Sequence, residues 1–362
     1  MRVGIVSKWS ASGQAVVARQ IRSALEELGH ETFVLARPGS GPRAEQATAT
    51  AAADPVWEQP RVAHGSTHEL PSAEYVDWVE QNGIEAILCD ENYQFEAMRT
   101  LRERGVRTIG RFVWEYFAPE HVAPAREAYE TVYALTRAEH ERYAELGLQS
   151  SYIQWGIHPE LLDAAPERAR PQPGDPIRFW FPGSFLGKRK PIRKVIKAFG
   201  TAEAPHAQLL ISAQVPRNDE FLREAAESDP RIALSLEDLP EAAHRREFSA
   251  ANVLLAPTRW EGLGLPLYEA TAFGMPIITN DRPPMSEMVI DGRSGILVAS
   301  EQKGTARSGI PAWNPDVGEL TAAIERLADP AELARMREGV AELRLERSWD
   351  RTVEGLAGLL AG

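Results

Sequence analysis

The sequence predicts an α/β protein built from two doubly wound parallel sheets, and three observations support this prediction. Short apolar segments alternate with amphipathic segments along most of the chain, which is typical of parallel sheets covered by helices on both faces. The alternation stops once, at a proline-rich and charged stretch at residues 163–176, and then starts again. The length of 362 residues is sufficient for two such domains with separate cores.

The first half begins with the strand "RVGIV", a glycine-containing loop and a helix. Val17, Ile21, Leu25 and Leu28 share one face of this helix, and Gly29 is a stop signal. The later segments are predicted as the strands "ETFVLA", "IEAILC", "VRTIGRFV", "TVYAL" and "SSYIQWG" and the helices "AEYVDWVEQNG", "FEAMRTLRERG" and "RAEHERYAELG". Residues 38–70 are rich in Pro, Gly, Ala and Thr and are predicted as a loop. We therefore expect a Rossmann-like domain over residues 1–165.

The second half repeats the pattern, so we expect a second Rossmann-like domain over residues 176–345. Its predicted strands are "IRFWFPG", "AQLLISA", "RIALSL", "VLLAP", "PIITN" and "GILVA". Its predicted helices are "IRKVIKAFG", "DEFLREAAES", "EAAHRREFSAA", "PLYEATAFG" and "VGELTAAIERLAD", followed by a long helical stretch to the end of the chain. Ligands of such sheets bind beyond the carboxyl ends of the strands. The two domains are predicted to face a central cleft that forms the active site.

The charge and the residue counts argue against several classes of protein. The formal net charge of −12 argues against nucleic acid as the main partner, because nucleic acid is itself strongly negative. The single cysteine, Cys89, allows neither an intrachain disulfide nor a multi-cysteine metal site. The sequence contains neither the roughly 18 consecutive apolar residues of a membrane span nor the pattern of a signal peptide. We predict a cytoplasmic protein without stable membrane insertion.

The segment "RWEGLGLPLYEA", residues 259–270, lies between a predicted strand and a predicted helix. Gly262 and Gly264 let the backbone approach a ligand closely, and the N-terminus of the following helix can bind an anion. Glu261 in the loop and Glu269 in the helix can accept hydrogen bonds from hydroxyl groups. An anion site between two such carboxylates fits a sugar diphosphate.

Three consecutive cations, Lys188, Arg189 and Lys190, lie between a second glycine loop and a helix. One interpretation is a solvated basic turn. The other is a site for a diphosphate, whose negative charge the cations stabilise as the phosphate leaves. Such cations can replace a divalent metal, and the sequence contains no D-x-D pair. We therefore expect neither a metal nor another cofactor.

The segment around residues 257–270 resembles the retaining glycosyltransferases of the GT-B fold, the GT4-like glycosyl transferases group 1. Their pattern reads approximately P-S-x-x-E-G-F-G-L-P-x-x-E-A, and the resemblance continues through a later E-x-x-x-D-G-x-x-G. Glu287, Asp291, Gly292 and Gly295 fall on that second pattern. The helix at about residues 346–362 resembles the family's last helix, which crosses back onto the first domain. The resemblance implies an acceptor-binding N-terminal domain and a nucleotide-sugar-binding C-terminal domain.

The resemblance also implies roles for individual residues on the donor side. Lys190 falls on a family lysine, Ser184 stands in place of a family arginine, and Arg189 is interpreted as the second cation. Glu261 would contact the donor sugar, and Glu269 would bind the ribose. The predicted catalytic residues are Glu261, Lys190 and Arg189. The predicted donor-binding residues are Gly183, Ser184, Leu236, Gly262, Leu263, Gly264, Leu265 and Glu269.

On the acceptor side, the predicted binding residues are Gly13, Gln14, Asp90, Glu91, Trp114 and Glu115. Trp114 stands where many members of the family have a histidine close to the donor sugar's primary hydroxyl. This departure implies either a donor that lacks that hydroxyl or another residue in that role, with Glu115 and Tyr116 as candidates. Two alternatives remain open at this point. Gly13 can also be an ordinary turn glycine, and Trp114 and Phe112 can be core residues.

Taken as a member of this family, the protein is expected to be a retaining glycosyltransferase. It would transfer a sugar from a UDP-, GDP- or dTDP-linked donor to a hydroxyl or amine of a small soluble acceptor or a glycan. The expected mechanism is a front-face displacement in which the leaving phosphate takes the acceptor's proton. A sugar-nucleotide epimerase of the same fold is one alternative, and the complete glutamate–glycine motif argues against it. The other alternative is a homologue that binds a nucleotide but has no catalytic activity. The missing arginine and histidine favour this alternative, whereas the presence of Glu261, Glu269 and Lys190 argues against it.

Overall fold

The computed structural model describes residues 1–39, 55–216, 219–237 and 239–361, and the chain divides into two compact units. The first unit comprises Met1–Trp155 together with Asp350–Gly362, and the second comprises Gly156–Trp349. Each unit contains its own parallel sheet and its own buried core. The predicted α/β class with two doubly wound sheets is confirmed.

The sheet of the first unit has seven parallel strands in the order β3-β2-β1-β4-β5-β6-β7. The strands are β1 Arg2–Ser7, β2 Glu31–Ala36, β3 Val62–His64, β4 Ala86–Asp90, β5 Arg107–Arg111, β6 Thr131–Ala134 and β7 Ser151–Tyr152. The helices are α1 Gly13–Glu27, α2 Ser72–Asn82, α3 Phe95–Glu103, α4 Val122–Ala128 and α5 Arg137–Glu145. The strand order reverses between β1 and β4, and ligands of doubly wound sheets bind at such a point.

Helix α1 forms as the periodicity of its apolar residues predicts. Val17, Ile21 and Leu25 are at most 3% exposed and face the core. The Ser12 hydroxyl caps the N-terminus by accepting a hydrogen bond from the backbone N–H of Ala15 at 3.4 Å. Gly29 follows the helix with a φ of +81°, a conformation that suits glycine at a helix end.

The loop predicted at residues 38–70 is only partly correct. Residues 40–54 lie outside the described residues. Pro55–Trp57 form a single 3-10 turn, and Val62–His64 form the edge strand β3 beside β2. The strand has only three residues, which is too short for an apolar alternation in the sequence to predict it. Its neighbour Arg61 contributes to the pairing, because the Val34 N–H donates to Arg61 O at 2.9 Å.

The sheet of the second unit has six parallel strands in the order β10-β9-β8-β11-β12-β13. The strands are β8 Ile177–Ser184, β9 Ala207–Ala213, β10 Ile232–Ser235, β11 Val253–Leu255, β12 Ile277–Asn280 and β13 Gly295–Val298. The helices are α6 Pro159–Asp163, α7 Ile192–Thr201, α8 Glu220–Ser228, α9 Glu241–Ser249, α10 Leu265–Ala272, α11 Val317–Leu327 and α12 Pro330–Glu346. This order also reverses beside its first strand, at β8 and β11.

An antiparallel hairpin follows the second sheet and was not predicted. Strands β14 Ser300–Thr305 and β15 Pro311–Pro315 pair with each other. Most residues of β14 are exposed, so the strand has no buried face that would appear as an apolar alternation in the sequence. Ile310 and Ala312, by contrast, are 1% exposed and anchor the hairpin.

The last helical stretch is divided into two helices, and the second corresponds to the helix expected at about residues 346–362. Helix α12 ends at Glu346, and helix α13 spans Asp350–Ala361. Between them, the Ile157 N–H donates to Arg347 O at 2.8 Å within the second unit. Helix α13 belongs to the first unit, where Thr352 Oγ1 donates to Gln154 O at 2.9 Å.

Candidate active site

The segment that carries the glutamate–glycine motif connects strand to helix, as the sequence predicts. Strand β11 ends at Leu255, and helix α10 begins at Leu265. We call residues 258–264 the motif loop. Gly264 has a φ of +78°, a conformation that a residue with a Cβ adopts only with strain. Pro266 lies in the first turn of the helix, where the absence of its N–H breaks no hydrogen bond.

The central contact of this site is a buried ion pair. Lys190 Nζ donates a hydrogen bond to Glu261 Oε1 at 2.8 Å, and both residues are 8% exposed. Arg189 Nη1 lies 3.5 Å from the other carboxylate oxygen, Oε2. Burial alone raises the pKa of Glu261, but the charges of Lys190 and Arg189 outweigh it and leave the pKa below its usual range. The structure thus brings together the three residues predicted for catalysis, with Glu261 ionised at neutral pH.

The two cations belong to residues 185–190, which we call the basic loop. The turn at the start of this loop has an unusual backbone, because Ser184 and Leu186 both have a φ of +48°. A Cβ at Gly183 would lie 2.8 Å from Ser212 O, so only glycine fits there without a shift of the backbone. This close packing fixes the point at which the basic loop leaves strand β8.

Arg259 joins the basic loop to the motif loop and to the hairpin. Its backbone N–H donates to Arg189 O at 2.9 Å, and its Nη1 donates to Lys188 O at 2.9 Å. Its Nη2 donates to Lys303 O in β14, and its carbonyl accepts a hydrogen bond from the Trp313 N–H at 3.0 Å. The sequence analysis gave Arg259 no role, because motif spacing does not show which carbonyls a long side chain reaches.

Glu269 lies in helix α10 with a partly exposed side chain. The pKa of Glu269 is raised to about 7, mainly because the carboxyl group is buried. The charge of the nearby Arg245 lowers this pKa, but its effect is smaller than that of burial. The charges of Glu241 and Glu160 also favour the protonated form. Glu269 therefore changes its charge near neutral pH, which the sequence could not show.

The other residues predicted for donor binding also lie in the second unit, at carboxyl ends of strands or in the loops that follow them. Gly183 and Ser184 end β8, Leu236 follows β10, Gly262, Leu263 and Gly264 lie in the motif loop, and Leu265 begins α10. Their roles toward a donor stay predictions.

The residues predicted for acceptor binding all lie in the first unit. Gly13 begins α1, and Gln14 Nε2 donates to Asp90 O at 2.7 Å. Asp90 ends β4, and Glu91 follows it with a φ of +54°. The contact between Gln14 and Asp90 therefore connects the start of α1 to the end of β4, at the point where the strand order reverses.

Trp114 and Glu115 follow β5 and are both buried, with 9% and 5% exposure. Phe112 stacks on Phe117 with the ring centroids 4.8 Å apart, inside the core of the first unit. The core interpretation is therefore correct for Phe112. Whether Trp114 takes the place of the family histidine stays a prediction.

A buried network beside Asp90 was missed by the sequence analysis. Arg111 is 2% exposed and lies between two carboxylates, with Nη1 3.1 Å from Asp90 Oδ1 and Nε 3.1 Å from Glu139 Oε2. Arg111 is the last residue of β5 and Glu139 lies in α5, so only the fold brings them together. Burial of a charged arginine requires such partners.

The part of the chain that the structure describes contains neither a cluster of metal ligands nor a helix that could span a membrane. No group of three or more His, Cys, Asp or Glu side chains there could hold a metal ion. No helix there is long and apolar enough to cross a membrane.

Two doubly wound units, one of them carrying the buried pair between Lys190 of the basic loop and Glu261 of the motif loop, define a protein of the GT-B class. Residues 167–313 match the family model described as "Glycosyl transferases group 1". The D-inositol 3-phosphate glycosyltransferase of Gordonia bronchialis is 33% identical over 132 residues, 35% of this chain and 26% of that protein. The α-maltose-1-phosphate synthase of Mycolicibacterium smegmatis is 30% identical over 109 residues, 28% of each protein. The chain thus matches about a quarter of the length of these curated relatives, and the resemblance to this group is confirmed.

Solved structures of low sequence identity share the whole fold. A sucrose-phosphate synthase from Thermosynechococcus elongatus has a TM-score of 0.73 at 16% identity and covers 100% of this chain and 98% of its own. Anabaena Alr3699/HepE in complex with UDP-glucose has a TM-score of 0.71 at 12% identity and covers 100% of both chains. These similarities confirm the GT-B fold.

Proposed function

We propose that the protein is a retaining glycosyltransferase that uses a nucleotide-sugar donor. The observation that carries this proposal is the buried Lys190–Glu261 pair, with Arg189 beside it, at the carboxyl edge of the second unit's sheet. It provides two cations for a diphosphate and a carboxylate for sugar hydroxyls within one site. The match to the group 1 glycosyltransferases supports the same reaction class.

In the proposed reaction, the bond between the anomeric carbon and the diphosphate oxygen breaks, and negative charge develops on the leaving phosphate. Lys190 and Arg189 stabilise that charge, and the N-terminus of α10 adds oriented N–H groups. The acceptor oxygen or nitrogen forms its bond to the anomeric carbon on the same face of the sugar. Its proton passes to the leaving phosphate, so the products are the glycoside and a nucleoside diphosphate.

Glu261 acts in this proposal as a hydrogen-bond acceptor rather than as a nucleophile. One of its oxygens is held by Lys190 and the other lies near Arg189, which lowers its basicity. The Lys190 ammonium has three donors, so it can bind a phosphate oxygen while it keeps its bond to Glu261. The pair thus couples the position of the sugar to the position of the phosphates.

The proposed donor is a sugar linked to UDP. GDP and dTDP are the other nucleotides to test. A solved structure with the same fold is a complex with UDP-glucose, which supports this choice. The proposed acceptor is a small soluble molecule, and the proposed location is the cytoplasm. We further propose that no metal is needed, because two cations and a helix N-terminus can together stabilise the leaving diphosphate.

The test is calorimetric titration of UDP, GDP, dTDP and ADP into the wild type and Lys190→Ala, in chelator and then in magnesium. Selective binding of one nucleotide that weakens at least about tenfold in the variant supports the donor site. Product formation from the matching nucleotide sugars, with the anomeric configuration read by NMR, then tests transfer and retention. Interconversion of the nucleotide sugar without an acceptor would indicate an epimerase. Absence of nucleotide binding under all conditions would contradict the proposal.

A further inference from the structure

The carboxyl edge of the first unit's sheet carries buried polar groups that the donor chemistry does not use. Strands β1 and β4 are parallel neighbours, with Val6 paired to Cys89. The next residues, Ser7 and Asp90, therefore lie side by side and point to the same face of the sheet. Ser7 is fully buried and Asp90 is 5% exposed, so bulk water has little access to either side chain.

Three oxygen atoms at this edge have no hydrogen-bond partner among the described residues: Ser7 Oγ, Asp90 Oδ2 and Glu91 Oε1. The other Asp90 oxygen is held by Arg111 Nη1 at 3.1 Å. Glu91 also has a left-handed φ of +54°, and such strain concentrates at functional sites. Buried acceptors without donors are rare in native proteins, so these atoms indicate a ligand that donates hydrogen bonds.

The charges around this edge narrow the choice of ligand. The ionisable groups near Glu91 are the carboxylates of Asp90, Glu115 and Glu139, the cations of Lys8, Arg37 and Arg111, and the hydroxyl of Tyr93. When Glu91 is ionised, this set contains four carboxylates and three cations. Burial is the larger cause that raises the pKa of Glu91 to about 8, and the charge of Asp90 adds to it, so Glu91 holds a proton at neutral pH unless a cation beside it favours the carboxylate.

A protonated amine matches this set of groups in number and in charge. An ammonium group has three N–H donors and no acceptor, and the edge offers three oxygens without donors. Its positive charge offsets the excess of carboxylate charge, whereas a phosphate would add like charge. Arg111 Nη2 also has no partner within the described residues, so a hydroxyl oxygen beside the amine would complete the hydrogen bonding.

We propose that Ser7, Asp90 and Glu91 bind a protonated amine of the acceptor, which is therefore an amino sugar or an amino polyol. This inference rests on the proposed function and specifies its acceptor. A hydroxyl of the acceptor forms the new bond to the anomeric carbon, the bond to the diphosphate breaks, and the hydroxyl proton goes to the leaving phosphate. The bound amine keeps its proton and positions the acceptor.

The test uses four sugars of similar size and different charge as probes: glucosamine, glucose, N-acetylglucosamine and glucose 6-phosphate. Each is titrated calorimetrically into the full chain with saturating UDP at pH 7.5. We expect glucosamine to bind at least about tenfold more tightly than the two neutral sugars, and glucose 6-phosphate to bind most weakly. A glucosamine Kd no lower than that of glucose, including undetectable binding, overturns the proposal.

Two variants and a control connect the preference to these residues. Glu91→Gln should remove the preference for glucosamine over glucose, and Ser7→Ala should reduce it by about threefold. Glu96→Gln changes an exposed carboxylate at the start of α3 and should leave the preference unchanged. An unchanged preference in Glu91→Gln contradicts the proposal, provided that its circular dichroism and UDP affinity match those of the wild type. If the wild type binds none of UDP, GDP, dTDP and ADP, the donor site is contradicted instead, so the two failures are distinguishable.

Discussion

Lys190 Nζ and Glu261 Oε1 are 2.8 Å apart although the residues are separated by 71 positions in the chain. The lysine comes from the basic loop after β8, and the glutamate comes from the motif loop after β11, the neighbouring strand. Both side chains are buried. Removing either charge would therefore leave the other one buried without its closest partner, which costs free energy in a low-dielectric environment. We therefore expect the same pair to affect both the stability of the fold and the binding of a nucleotide.

Replacing Lys190 with alanine should weaken both properties. We expect the free energy of unfolding to fall by about 3 kcal/mol, because Glu261 is left as a buried charge without its closest partner. Urea denaturation measures this change, and calorimetry measures the accompanying loss of nucleotide affinity. The double variant Lys190→Ala/Glu261→Gln should regain part of the stability but none of the affinity. The exposed Lys188→Ala is the matched control, and an equal effect there would show that general charge, not the pair, matters.

Nucleotide affinity should rise with pH if Glu269 binds the ribose as a carboxylate. Its pKa of about 7 means that it is protonated below that pH and ionised above it. We expect the Kd for UDP to decrease between pH 6 and 8 with a midpoint near 7. Glu269→Gln should remove this transition and bind at every pH about as weakly as the protonated wild type. A transition that persists in the variant would assign it to another group.

The stability of the fold should show two opposite effects of pH. Glu269 has a raised pKa, so the folded state binds its proton more tightly than the unfolded state does. This contribution is present below the ordinary glutamate pKa and is lost as the pH rises through about 7. Glu261 has a lowered pKa, so its contribution is present above the ordinary pKa and is lost as the pH falls below it. Urea denaturation of the wild type, Glu269→Gln and Glu261→Gln at several pH values separates the two.

Arg259 should affect nucleotide binding by positioning the basic loop, since it donates to Lys188 O and to Lys303 O. We expect Arg259→Ala to weaken UDP binding severalfold and to increase amide hydrogen exchange in both the basic loop and the β14–β15 hairpin. Arg259→Lys should not restore either property, because a lysine cannot reach two carbonyls with a planar fork. Arg293→Ala removes an exposed arginine paired with Glu342 and serves as the control. Unchanged exchange in the basic loop would contradict this role.

A glycine comparison can test the geometry of the motif loop. Gly264 and Gly304 both have left-handed φ angles, +78° and +82°. Alanine at either position should cost about 1–2 kcal/mol of stability. A Cβ at Gly264 would also lie 3.0 Å from Leu267 Cδ1, whereas a Cβ at Gly304 meets nothing within 4 Å. We therefore expect only Gly264→Ala to weaken UDP binding. Calorimetry measures the UDP affinity of each variant, and urea denaturation measures its stability. Equal UDP affinities of the two variants would show that the motif loop tolerates the change.

Much of the fold was predictable because it depends on patterns of consecutive residues. The apolar face of Val17, Ile21 and Leu25 predicted α1, and the strand–loop–helix around Glu261 followed from an apolar run, two glycines and a proline. The hairpin β14–β15 and the three-residue strand β3 were missed. An exposed strand and a very short strand leave no periodic signal, and pairing with a neighbour defines them instead.

By itself, the sequence determined the class of fold, the motif loop and the residue types available for binding a sugar diphosphate. The tertiary structure decided which of those residues meet. It paired Lys190 with Glu261, placed Arg259 against the carbonyls of two other segments, and set Ser7 beside Asp90. The physical reason is that periodicity and turn chemistry act over a few neighbouring residues. Contacts between distant residues, and the pKa shifts that follow from them, depend on strand order, register and burial.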